Sequence, residues 1–351
     1  MTATPTFVLG GTGYVAGELL RLLAQHPHLE VAGVLSASRA GTPIREVFPQ
    51  LQDSYGDRVF CNRDTLYEGF PTGRAALFSA APHGASAALV AECLARAAQA
   101  KTELTVVDVS ADFRYPDAAA YAAVYGQAHG APELLESFRC AVPEHLKASD
   151  KPHVAHPGCF ATALLLATVP LVSLDLVAGD LHAVGVTGST GSGRTPGPGT
   201  HHPERHSNLY AYKPLAHRHA PEVMGLCAAA TGSRPNLHFV PHSGPFARGI
   251  HVTVQAALRE PVHADDLRAS LANFYADSEF VQVYDGTPRI KDVIGSNYCH
   301  LGVAADADGV AVFAVIDNLV KGAAGGAVQW MNRQLGWPES TGLRTPALAW
   351  I

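Results

Sequence analysis

The chain has 351 residues, 47% of them hydrophobic and 16% charged, enough to bury more than one core, so two domains are expected. Its 25 Lys and Arg stand against 31 Asp and Glu, a formal charge of -6. That leaves no basic field for nucleic acid or an acidic membrane, and small-molecule chemistry is the better expectation. The opening "MTATPTFVLGGTG" has no basic n-region and no long apolar run, so a cytoplasmic protein without signal peptide or membrane span is expected.

The first element is a short β-prone run, "TFVL", followed by the cluster Gly10, Gly11, Gly13 and then by Leu19, Leu20, Leu22 and Leu23 at helical spacing, ending near His26-Pro27. This is strand, tight turn, helix. Gly10 and Gly13 let the backbone approach a pyrophosphate, and the N-H groups of Thr12, Tyr14 and Val15 at the helix start would meet its charge. Ala16 takes the third small position. A second strand, Val31 to Leu35, ends at Ser36, Ser38 and Arg39 with no acidic residue. Ser and Arg suit a 2'-phosphate, which favours NADP(H) over NAD; the bland alternative is that Arg39 is a solvated loop charge. The segments "RAALFSAAPHGASAALVAECLARAA" and "ELTVVDVSADFR" continue the alternation, implying a doubly wound parallel sheet.

At "HPGCFATALLLATVPLV" a helix is expected from Cys159 to about Pro170, with Pro157-Gly158 forming the turn before it. A cysteine in a helix's first turn is favoured as thiolate, yet one among Ala, Leu and Phe also fits a plain core position. On this stretch alone both readings stand. Residues 186 to 222 then form a Gly, Ser and Thr loop carrying Arg194, suited to an oxyanion or phosphate, although its Pro-Gly-Pro-Gly portion also fits a mobile linker. His201, His202, His206, His217 and His219 follow. No HExxH spacing occurs, so a metal is not expected, and one of the five is the candidate base for a thiol. The other cysteines, Cys61, Cys93, Cys140, Cys227 and Cys299, show no CxxC pair and read as reduced thiols.

Taken in order, "GGTGYVAGELLRLLAQHP", "APHGAS", "VVDVSADFR", "YGQAH", "AVPE", "HPGCFATA", "TGSTGSGR", "AYKPLAHRHAPE", "IGSNYCHLGV" and "VIDNLVKGAAGGAVQWMN" resemble the N-acetyl-gamma-glutamyl-phosphate reductase family, related to aspartate-semialdehyde dehydrogenases. The resemblance implies an α/β fold: a Rossmann domain over 1–157, an α+β catalytic and oligomerisation domain over 158–316, and a C-terminal helix within 317–351 returning to the Rossmann domain. It implies NADPH-dependent reduction of N-acetyl-gamma-glutamyl phosphate to the semialdehyde through a cysteine thioester, in arginine biosynthesis. Cys159 matches the nucleophile and His217 the acid/base, with His219 as the other option and as a substrate contact. Arg114 matches a phosphate-binding arginine, Ser189, Gly191 and Arg194 would line the substrate, and Asn318 would lie near the nicotinamide.

Two departures stand out. Where "NPGCYPTA" is usual, this chain has His156, Phe160 and Ala161, so any contact of the Asn to the thioester oxygen would fall to a ring N-H of His156 or be left to the backbone. The loop "PGPGTHHPERHSNLYAYKPLAHRH" also resembles the lysine-pathway reductase that acts on an aminoadipyl phosphate carried by an acidic protein. A homodimer or homotetramer is expected, the second domain's "LHAVGV" and "GIHVTVQAAL" being apolar enough to support one. A non-catalytic NADP-sensing protein is the remote third reading.

Overall fold

A computed structural model describes residues 3–350. The chain divides into two compact units. The first holds the described residues up to Ala141 with Ala148–His156 and Ala324–Arg344; the second holds Val142–Lys147, Pro157–Ala323 and the described residues from Thr345.

In the first unit, strands β1 (Thr4–Leu9), β2 (Leu29–Val34), β3 (Gly73–Ser79), β4 (Thr102–Asp108), β5 (Phe138–Cys140) and β6 (His153–Ala155) form one parallel sheet in the order β2-β1-β3-β4-β6-β5. Helix α1 (Tyr14–Leu23) follows β1, and α2 (Ser86–Gln99) follows β3. This is the doubly wound sheet that alternating strand and helix patterns predict. Its strands read as apolar runs, "AALF" in β3 and "VV" in β4, because both faces are covered.

The second unit has a seven-stranded mixed sheet, in the order β11-β12-β13-β10-β7-β9-β8. Its strands are β7 (Val177–Thr187), β8 (Tyr210–Ala211), β9 (Leu237–Ser243), β10 (Ile250–Leu258), β11 (Val281–Val283), β12 (Cys299–Ala305) and β13 (Gly309–Ile316). Along β7, buried Leu181 and Ala183 alternate with exposed His182 and Val184, so one face is core and the other open. Helix α3 (Cys159–Ser173) lies in the core, α4 (His219–Thr231) packs against it, and α5 (Ala264–Phe274) packs near β12.

Helix α3 does not stop at Pro170 as expected; it runs three residues further. Pro170 cannot donate to the carbonyl of Leu166. The Tyr275 hydroxyl donates to that carbonyl instead, at 2.8 Å, so the acceptor that the proline leaves without a helix donor is satisfied. The C-terminal helix α6 (Gly325–Gln334) belongs to the first unit and contacts β4, β6 and α1. The unit boundary differs from 316/317, however. Residues 317–323 stay in the second unit, held by Asp317, whose carboxylate accepts from Arg248 Nε at 3.0 Å, Gly295 N at 2.7 Å and Leu319 N at 2.8 Å. Lys321 adds a buried ion pair to Glu144 at 2.6 Å, drawing Val142–Lys147 into the same unit.

Candidate active site

In the first unit the chemistry gathers at the carboxyl ends of β1, β3 and β4. Gly10 has φ +71, and a Cβ there would stand 2.5 Å from the Ala80 carbonyl oxygen, so only glycine closes this turn. Helix α1 then starts at Tyr14 behind an extended Gly13, with no side-chain cap and no acidic residue in its first turn. An uncapped, acid-free start leaves its N-H groups for an anion, as a dinucleotide pyrophosphate requires. Thr12 and Val15 are half-buried here, and Tyr14 is exposed. Ser36 is buried, its N-H bonded to the Cys61 carbonyl, while Ser38 and Arg39 are exposed in the following turn, where a 2'-phosphate could reach them.

The segment "VSADFR" stitches this end together. Asp112 caps α2 through Ala87 N at 2.9 Å and also accepts from Gly84 N at 2.8 Å. Asp108 is fully buried and accepts from the hydroxyls of Ser86 and Ser110, each at 2.7 Å. Burial pushes its carboxyl up to about 6, against the lowering effect of those hydroxyls. Arg114 donates from Nε to the carbonyl of His156 at 3.1 Å and from Nη2 to that of Val109 at 2.9 Å. The edge of the guanidinium that would grip a phosphate side-on is thus already spent on backbone, so Arg114 braces the chain just before Pro157-Gly158-Cys159. His156 is completely buried, its N-H donates to the Asp108 carbonyl at 2.8 Å, and its ring fills the space that Gly326 leaves on α6. An Asn in its place would leave part of that space empty.

In the second unit Cys159 is the first residue of α3 and is partly exposed. Glu222, in the first turn of α4 and 2% exposed, accepts from Gly158 N at 2.7 Å and fixes the entry into α3. Behind the cysteine, residues Val320–Ala324 form a π-helical turn, and a Cβ on Gly322 would lie 2.8 Å from that of Cys159. That close approach holds the cysteine in one place.

His217 and His219 are both buried, with ring centroids 4.7 Å apart. His217 lies edge-on to Phe160 at 5.9 Å and to Tyr212 at 5.6 Å. Its Nδ1 accepts from His219 N at 3.2 Å, which puts the proton of the neutral ring on Nε2. Burial, with Arg218 and Lys213 adding to it, pushes the imidazole down to about 4, so it is neutral at pH 7. Tyr212 is pushed well above the usual phenol range, by burial first and then by the Cys159 sulfur. Tyr212 and Glu222 were not singled out by the sequence, although both lie inside "AYKPLAHRHAPE".

Asn318 sits in the second unit with both ends of its amide in use. It accepts from Gly249 N at 2.7 Å and donates to Thr190 Oγ1 at 3.0 Å. Its amide joins two loops. The loop from Gly188 is no mobile linker over its first part: Ser189 N and Thr190 N donate to the carbonyls of Phe246 and Ala247 at 2.9 and 3.0 Å. Ser189 is half-buried, and Gly191 and Arg194 are exposed. Among the described residues no three His, Cys, Asp or Glu side chains gather as a metal site, and no helix is long and apolar enough to cross a membrane.

The family description "Semialdehyde dehydrogenase, NAD binding domain" matches residues 6–137, and "Semialdehyde dehydrogenase, dimerisation domain" matches 159–318. An N-acetyl-gamma-glutamyl-phosphate reductase of Ectopseudomonas mendocina is 40% identical over 97% of this chain and 98% of its own. The chain belongs to the N-acetyl-gamma-glutamyl-phosphate reductase family. A member as distant as that of Methanopyrus kandleri is 37% identical over 97% of both chains. Solved aspartate semialdehyde dehydrogenases share the fold: one from Vibrio cholerae, complexed with ASA, has a TM-score of 0.69 at 16% identity, covering 95% of this chain and 99% of that one. Another, with NADP, from Candida albicans, has 0.66 at 17%, covering 95% and 98%. Membership makes the chain an oxidoreductase with a nicotinamide-dinucleotide-binding domain over residues 6–137 and a dimerisation-type domain over 159–318.

Proposed function

We propose that this protein reduces N-acetyl-gamma-glutamyl phosphate to N-acetyl-glutamate semialdehyde, with Cys159 as nucleophile and NADPH as reductant. The observation that carries the proposal is the setting of Cys159: first residue of a buried helix, partly exposed, with its turn tied by Glu222 and its back against Gly322. A core cysteine has no need of such fixing. The relatives at about 40% identity carry the glutamyl name over nearly the full length, which favours this substrate over the carrier-linked aminoadipyl one.

The Cys159 thiolate attacks the acyl carbonyl carbon, and the C–O bond to phosphate breaks with its electron pair leaving on phosphate. The start of α1 would hold the pyrophosphate of NADPH, and Ser38 and Arg39 its 2'-phosphate; the chemistry the cofactor would supply is the hydride that reduces the thioester. The C–S pair then returns to Sγ and the aldehyde leaves. His217, neutral and carrying its proton on Nε2, serves as a hydrogen-bond donor to the oxygen that gains charge at each tetrahedral stage. The resemblance gives His217 an acid/base role; with Nδ1 already an acceptor and the proton on Nε2, the part proposed here is that of a donor. His219 sets this tautomer through its backbone N-H. Glu222 and Arg114 position the turn; Ser189, Gly191 and Arg194 line the side where phosphate departs. The open face of the seven-stranded sheet, with Val184 46% exposed, is the surface through which two copies pair.

The test is Cys159→Ser assayed with the acyl phosphate and NADPH. Turnover should fall by at least about 10³-fold, since a hydroxyl is far harder to ionise than a thiol, while NADPH affinity stays unchanged. Wild-type rates in the Ser variant would rule out the covalent route.

A further inference from the structure

Arg205, in the short helical turn His202–Arg205, is 7% exposed and carries a charge that the reaction described above does not use. Its Nη1 donates to the carbonyls of Asn208 at 3.1 Å and Ser243 at 3.4 Å. Its Nε and Nη2 are buried and have no partner among the described residues. These two atoms form the side-on edge of the guanidinium, the pair of parallel donors that matches the two oxygens of a carboxylate or phosphate. A buried cation with that edge unmet is costly to keep unless an anion completes it.

Its location narrows the anion. Ser243 ends β9 and pairs with Thr187 at the end of β7. Phe160, directly after Cys159, packs over Gly185, two residues back along β7, and against Phe239 of β9. Arg205 therefore sits at the end of the sheet where α3 begins, roughly two strand residues, about 6–7 Å, past the ring that follows the cysteine. A five-carbon chain with an acyl carbon at one end and a carboxylate at the other spans roughly 5 Å, four bonds of about 1.5 Å with zigzag shortening. We infer that Arg205 is the substrate-binding residue that receives the α-carboxylate remote from the reacting carbon, through its Nε–Nη2 edge. This rests on the substrate reading above. It makes Arg205 a specificity residue: a substrate with that carboxylate masked would leave the guanidinium unpaired.

The reverse reaction separates the two anions, because the semialdehyde carries the α-carboxylate and phosphate enters as a distinct substrate. Arg205→Gln should raise KM for N-acetyl-glutamate semialdehyde by about 30- to 300-fold, the range of a lost bidentate charge-assisted pair, with KM for phosphate unchanged. The α-carboxamide of the aldehyde should be a poor substrate for the wild type and lose nothing further in Arg205→Gln. Arg205→Lys, which keeps the charge and a donor for the two carbonyls, should fold normally and show an intermediate rise, and it carries the test if the Gln variant fails to fold. A rise in KM for phosphate alone would place Arg205 at the phosphate instead and overturn the inference. So would unchanged constants, or equal use of acid and amide by the wild type. If the wild type turns over neither aldehyde, the substrate reading fails. Calorimetric binding of glutarate then tests Arg205 without turnover: tighter binding to wild type than to Arg205→Gln supports it, and equal binding overturns it.

Discussion

Helices α1 and α3 begin alike. Each follows an extended glycine, Gly13 at φ -77 and ψ 166 and Gly158 at φ -62 and ψ 155, with no side-chain cap and no acid in the first turn. Both ends are electropositive for the same reason. What differs is what surrounds them. The start of α1 is a surface turn with Tyr14 exposed and no side-chain cap on its N-H groups. The start of α3 is closed in by Glu222 on Gly158 and by Gly322 behind Cys159, which leaves the partly exposed cysteine side chain as its open group. In the function proposed above, one helix end would bind by what it leaves vacant, and the other react by what it holds still.

The largest effect that separates the two should come from Gly10→Ala. The new methyl would meet the Ala80–Ala81 backbone at 2.5–2.6 Å with φ at +71, and backbone cannot move aside cheaply. NADPH affinity, measured by fluorescence titration, should drop by about 100-fold or more. Gly197→Ala, outside this turn, is the control, since nothing lies within 4 Å of the added methyl, and it should leave affinity within a few fold. Equal losses in both would mean that the turn's shape is not what binds the cofactor.

Next in size is Glu222→Gln. The amide can still accept from Gly158 N through its oxygen, but without the charge, and must place an NH2 in a site that is 2% exposed. The expected result is a fall in kcat of about 10- to 100-fold, from a charge-assisted bond weakened at the cysteine's own turn, with NADPH affinity untouched. If kcat holds and only melting changes, Glu222 serves the fold alone.

These two helix starts also show how far residues alone reach. The glycine turn was legible because all its parts are neighbours in sequence, and the family was legible because its motifs keep their order. Glu222 was not: it lies 64 residues from Gly158, and an acid early in a helix is the ordinary sign of a helix start. Pro170 misled for a similar reason, since the Tyr275 hydroxyl that satisfies Leu166 comes from 109 residues away. Arg114 and Asn318 are expected at a phosphate and near the nicotinamide, while the contacts seen for them are to backbone carbonyls and between two loops. Which polar side chain meets which carbonyl depends on strand register, and short motifs do not carry register.

The titrating groups near the two sites extend the comparison to pH, with opposite signs. His217 in the second unit is held down to about 4 by burial, below the roughly 6.5 of an unfolded chain. Its contribution to stability is present above pH 6.5 and is lost as pH falls toward 4. Correspondingly, kcat/KM should show no His217 step near 6.5, and histidine NMR should find the ring neutral at pH 5.5; a ring that titrates near 6.5 would return it to the acid/base role.

Asp108 in the first unit is pushed up to about 6, above the roughly 3.9 of an unfolded chain. Its contribution is full below that value and is lost as pH rises through 6. Between pH 7 and pH 5 it should add about 1 kcal/mol, a modest effect that Asp108→Asn isolates. In the Asn variant the amide stays neutral between the Ser86 and Ser110 hydroxyls, so that gain should vanish when stability at the two pH values is compared with wild type. A wild-type protein whose pH dependence matches the variant's would mean that Asp108 stays ionised in the fold, and that its two serine bonds outweigh its burial.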